Sequence, residues 1–199
     1  MADTGGMTEH SAHPAITDPA DRSDATVLNA SVRWLERAVI AAQLCPFAKA
    51  VHVKQQVRWV VSAATDAQAL MDDLVRELAY LADADPAEVE TTLLVHPHVL
   101  ADFLDYNDFL DLADAAVEEL QLDGELQVAS FHPDYQFADT LVDDPGNFSN
   151  RSPYPTLHLL RESSIDQAVA AFPDTETLAQ RNVERLRALG MQGWRALFD

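Results

Sequence analysis

His132, Asp134 and His158 are the side-chain types from which a two-histidine, one-carboxylate metal centre is made. Such a set suits non-haem iron, and zinc also accepts it. The signal is short: a His-x-Asp pair with Pro133 between its members, and a distant second histidine. The same stretch offers a second chemistry. Arg151 and Arg161 present planar forks to a carboxylate or phosphate, with Asn147, Asn150, Ser152 and Tyr154 as neutral donors. His132 or His158 would then serve as general acid or base, because only histidine titrates unperturbed near neutrality. Tyr135 and Tyr154 would orient the bound molecule, and the expected ligand is a small anion. A third reading needs no ligand: Tyr, Asn and Arg side chains pin a long loop through hydrogen bonds to its backbone.

Cys45 is the single cysteine. It forms no internal disulfide, and a reducing cytoplasm is the expected compartment. A fourth reading pairs Cys45 with His132 or His158 as a thiol–imidazole hydrolytic couple. Its local setting argues against this. The first helix is expected to end at Pro46, and a helix C-terminus raises a thiol pKa. A buried structural cysteine is the plainer expectation.

These residues must be positioned by a regular frame. Residues 1–24 are polar, free of aromatics and expected to form a disordered tail containing His10 and His13; residues 25–199 are expected to form one α+β domain. Val27, Leu28, Val32, Leu35, Val39 and Ala42 predict a helix from Ala25 to about Leu44, capped by Ser23 or Asp24. Val57 to Ser62, Thr91 to Val95, Leu126 to Phe131 and Thr156 to Arg161 read as strands. Thr65-Asp66-Ala67-Gln68 and Ser164-Ile165-Asp166-Gln167 read as capping boxes. Phe103, Tyr106, Leu110, Ala113, Val117 and Leu120 form an apolar helical seam opposite a run of aspartates and glutamates. Pro173-Asp174 is expected to open a last long helix closed by Gly190, with Trp194, Leu197 and Phe198 docking back on the body. The connection from Pro133 to Pro155 has no clear period. Irregular connections longer than about 12–15 residues are uncommon in compact domains unless functional or disordered, and its aromatics argue against disorder.

The element order predicts an α+β fold: a small mixed sheet of about four strands with helices mainly on one face. If the first three strands run parallel, His96 and His132 both fall at strand carboxyl ends, where ligands of open α/β sheets gather. If the fourth strand returns antiparallel beside the third, His158 approaches the same edge. Alternation then puts His158 and Glu162 on one face and Arg161 on the other.

The chain has 199 residues, with 13 basic and 33 acidic side chains and a formal charge of -20. A field of that sign repels phosphate backbones and anionic bilayers, so neither nucleic acid nor membrane is an expected partner. No apolar run reaches membrane-spanning length. The rival to a small-molecule enzyme or binding domain is an interaction protein that presents the acidic helix, Asp102 to Glu119, as its contact surface.

Four motifs carry a resemblance. They are Leu44-Cys45-Pro46-Phe47-Ala48, Thr91-Thr92-Leu93-Leu94-Val95-His96-Pro97, Ser130 to Phe137 and Asn150 to Glu162. Together they resemble a bacterial family, domain-of-unknown-function family 1415, across about residues 28 to 190. The resemblance implies a free-standing bacterial cytosolic domain. It carries no catalytic residue or cofactor over to this chain.

Overall fold

The computed structural model describes residues 22–171 and 175–198. The tail histidines His10 and His13, and the Pro173-Asp174 helix start, lie outside them. The described chain is one α+β unit built on a four-stranded mixed sheet, in the order β1 (Val57–Val61), β2 (Thr91–Val95), β4 (Thr156–Arg161), β3 (Leu126–Phe131). β1 and β2 are parallel, and β4 runs antiparallel to both β2 and β3. The first three strands therefore share a direction, as expected. β4 does lie beside β3, but it is also inserted against β2.

Two helices cover one face. α3 (Ala67–Asp83) starts at Asp66, whose carboxylate accepts from the Ala69 amide, so Asp66 rather than Thr65 is the cap. It buries Leu70, Leu74, Leu78 and Leu81 completely, each contributing about 1.5–3 kcal/mol. α4 (Phe103–Glu119) is capped by Asp102 and buries Tyr106, Phe109, Ala113, Ala116 and Val117. Phe109 and Ala116 thus join the seam, and Leu110 is only partly buried. These helices pack on Leu94, Leu126, Leu157 and Leu159. A charged contact joins the same face: Arg58 of β1 forks onto the buried Glu77 of α3 at 2.7 and 3.3 Å.

The other face is covered as well, so the helices are not confined to one side. α1 (Asp24–Trp34) runs into a π-helical turn, Leu35–Ile40, instead of continuing as α-helix to Leu44. Two amide bonds reach back five residues, Ala41 to Glu36 and Leu44 to Val39, at 3.1 and 2.9 Å. Gln43 takes a positive φ of 54° and ends the helix before Pro46. α2 (Ala48–Val53) follows at once. Trp34, Leu35, Ala38, Val39 and Ala48 then bury against this face and the C-terminal segment.

α5 (Glu162–Ala171) begins directly where β4 ends. Ser164 lies inside it and donates to the Glu90 carboxylate, so it is not a cap. α6 (Thr175–Ala196) is interrupted by Gly190, at φ 63° and ψ 178°. The chain bends there and resumes, which turns Trp194 onto Phe148 with centroids 4.8 Å apart. The C-terminal aromatics dock as expected, beyond the break. No helix among the described residues is long and apolar enough to cross a membrane.

Candidate functional site

The connection between β3 and β4 holds most of the polar residues singled out in the sequence, and their side chains are taken up by the loop itself. Arg151 donates through Nε to the Tyr135 carbonyl at 3.0 Å and through a terminal nitrogen to the Val142 carbonyl at 2.7 Å. Asn147 donates to the Leu141 carbonyl, and its oxygen accepts from the Phe137 amide and the Thr140 hydroxyl. Asn150 donates to the Ser130 carbonyl, and Ser152 to that of Tyr154. Tyr154 packs with Val27, Ala30 and Val95, and Tyr135 packs on Phe103 and Phe137. A 3-10 turn, Pro145–Asn150, is capped by Asp144 within the stretch. Arg161 points to the opposite side of the sheet. One of its terminal nitrogens donates to the carbonyls of Leu81, Ala84 and Val89 at 2.7, 2.8 and 3.2 Å. Arg151 thus pins the loop through two backbone oxygens, whereas Arg161 bonds carbonyls outside it, at the end of α3 and ahead of β2.

The three predicted metal ligands do not converge. Phe131 lies on the α1–α2 side of the sheet, so alternation turns His132 to the α4 side. There Nε2 of His132 meets the Leu100 carbonyl at 3.2 Å, and Nδ1 accepts from the Asp134 amide at 3.0 Å. Asp134 contacts His132 through its backbone amide and is itself exposed. His158 is the third residue of β4, paired with Leu93 and Ala129 in mid-sheet, on the opposite face. The described residues contain no group of three His, Cys, Asp or Glu placed to hold a metal ion, and this extends to the acidic face of α4.

His96 and His132 do come together, at the shared strand edge. They flank Tyr106, with centroids 5.7 and 5.1 Å from its ring. The Tyr106 hydroxyl donates to the Thr156 carbonyl at 2.8 Å and accepts from the Phe131 amide at 3.2 Å, bridging β3 and β4 where their ladder opens. His96 is fully buried, and its Nδ1 contacts the Val99 carbonyl at 3.1 Å. Burial, aided by the nearby His132, lowers its pKa to about 4, against the pull of the Val99 bond. Burial also lowers His132. This cluster is enclosed, and its bonds knit strand ends together.

The opposite face holds a chamber. All four strands contribute to its floor, through Val57, Thr91, Leu93, Ala129, Phe131, His158 and Leu160. Trp34, Leu35 and Val39, then Cys45, Phe47, Ala48 and Val51, form the roof. Its volume is about 210 Å³. The π-helical turn carries both Leu35 and Val39, which lie over the chamber, and π turns inside helices often accompany functional sites.

Among the described lining residues, only three carry a polar or reactive side-chain group other than the indole of Trp34: Thr91, Cys45 and His158. The Thr91 hydroxyl donates to the Leu159 carbonyl at 2.6 Å, so its oxygen accepts from Nε2 of His158 at 2.8 Å. That relay fixes the imidazole with its proton on Nε2 and a lone pair on Nδ1. Burial pushes His158 down to about 4. Burial also pushes the Cys45 thiol up, against amide bonds from Phe47 and Ala48. Cys45 therefore sits at the start of α2 as well as beyond the end of the preceding helix, and burial rather than a helix terminus dominates its pKa. The fourth reading is met halfway: thiol and imidazole line one chamber, and both are held neutral.

The chamber adjoins a wider groove of about 670 Å³, with which it shares Val39, Cys45 and Phe131 as lining residues. The groove is walled by the 3-10 turn and by α6, and carries the Asp144–Arg187 ion pair at 2.7 Å. Arg187 lowers the Asp144 carboxyl below its usual range. The sequence reading named His158 and Cys45 but missed their setting. Period-two alternation already puts Thr91 and Leu93 on one side of β2. Only the β2–β4 pairing brings that side against His158.

With this geometry the whole chain can be compared with known families. The family described as Protein of unknown function (DUF1415) matches residues 26–196. The chain belongs to that family. The match spans α1 through α6, so chamber, groove and pinned loop all fall within the DUF1415 region. No curated protein and no solved structure matches the chain.

Proposed function

We propose that this protein binds a small, largely apolar molecule in the chamber between the sheet and the α1–α2 roof, and that the adjoining groove is the way in. The observation that carries this reading is the chamber itself. It is a concave, mostly apolar cavity with a few convergent polar groups, the usual make-up of a small-molecule site. Neither arginine nor lysine lines it, so a neutral ligand fits better than an anion held by charge. Binding is favoured over nucleophilic catalysis because thiol and imidazole both rest uncharged, whereas a cysteine nucleophile works as thiolate.

Ala129→Ile tests the reading. Ala129 lies on the chamber floor beside His158, and three added carbons would fill much of the space. In a thermal-shift screen of small apolar compounds, those that raise the Tm of the parent should leave the filled variant unmoved. Equal shifts in both proteins would place binding elsewhere and overturn the proposal.

A further inference from the structure

We infer that the chamber selects a compact aromatic molecule carrying one O–H or N–H donor, its ring among Trp34, Phe47 and Phe131 and its donor on Nδ1 of His158. The inference rests on the small-molecule reading above and narrows it to a chemical class.

Size sets the first limit. An apolar cavity of about 150 Å³ accepts benzene. The present chamber, at about 210 Å³, has room for one ring with a substituent, or for a fused pair of rings. The walls set the second. Phe131 stands edge-to-face to Trp34 with centroids 5.0 Å apart, and tilted to the His158 ring at 5.8 Å. Rings that already meet edge-on offer an aromatic guest the same contacts, which add to simple area burial.

The third limit is the hydrogen bond. The Leu159–Thr91–His158 relay leaves Nδ1 as an acceptor, and no described residue donates to it. His158 is partly accessible, and the chamber is a cavity it borders. On this inference that acceptor meets the apolar space, where it rewards a guest that brings one donor. A guest whose only polar atom is an acceptor gains nothing there, and a carboxylate meets a lone pair with no cation nearby.

The test is calorimetric titration of the full chain with four probes: benzene, toluene, phenol and indole. The parent should bind phenol and indole about fivefold more tightly than benzene and toluene, the worth of one net neutral hydrogen bond. In His158→Phe the preference should reverse, because the donor must still leave water and finds no partner. Thr91→Val is the second variant, and serves alone if His158→Phe does not fold. It keeps the chamber and releases the tautomer, so the preference should shrink. Equal binding of all four probes to the parent would overturn the donor inference and leave the chamber reading standing. A preference undiminished in the variants would likewise overturn it. Failure of all four to bind would overturn both.

Discussion

Arg161 donates to three carbonyls around the C-terminal end of α3, which makes it a buried cap. Removing it strands those oxygens away from water. Arg161→Met is expected to destabilise the domain by roughly 3 kcal/mol, read from urea denaturation, and Arg161→Lys should restore little, because its shorter stem does not carry the ammonium to the place of the terminal nitrogen that makes all three bonds. The histidines act at the same scale. His96 and His158 are each held near 4 by burial, so the unfolded chain binds protons more readily below its ordinary histidine value of about 6.5. Their contribution is complete above that value and is lost as pH falls toward 4. His158→Phe should flatten the acid limb of a stability–pH profile between about 6.5 and 4; an unchanged limb would show that His158 is not held neutral. Residue types alone nominated Arg151, Arg161 and His158, but not what they do. An arginine fork suits a phosphate and a helix-end carbonyl equally well, and burial decides between them.

At the scale of elements, β4 organises the site. Its insertion between β2 and β3 gives His158 its row, with Leu93 on one side and Ala129 on the other. Tyr106 of α4 holds the end of that insertion by bonding both β3 and β4. Tyr106→Phe keeps the ring and deletes both bonds, leaving a buried amide and a buried carbonyl short of partners. The expected cost is about 1–3 kcal/mol, measurable as a lower urea midpoint at an unchanged slope. The strands themselves were legible: short runs rich in β-branched and apolar residues, Thr91–Val95 and Thr156–Arg161, located them. Their lateral order was not, because pairing is fixed by contacts between segments far apart in the chain. The π-helical turn was equally hidden. Val39 falls at an ordinary helical spacing in sequence, and only the five-residue amide bonds reveal the wider turn.

At the scale of the molecule, two layers of helices enclose the sheet and divide the labour between its faces. One face is a filled leucine core with an enclosed His–Tyr–His cluster at its edge. The other is packed less completely and keeps the chamber. Fold class was readable from periodicity and composition. The division between faces was not, since it depends on which side each strand turns, and His132 and His158 end up on opposite sides for that reason. The central claim is that the chamber is the ligand site. Methyl NMR tests it most directly, with indole titrated into the full chain labelled at Leu and Val methyls. The account predicts saturable shifts at Leu35, Val39, Val51, Leu93 and Leu160, which line the chamber, and none at Leu70, Leu74 and Leu78 on the far face. Shifts confined to the far face, or none at all, would contradict it.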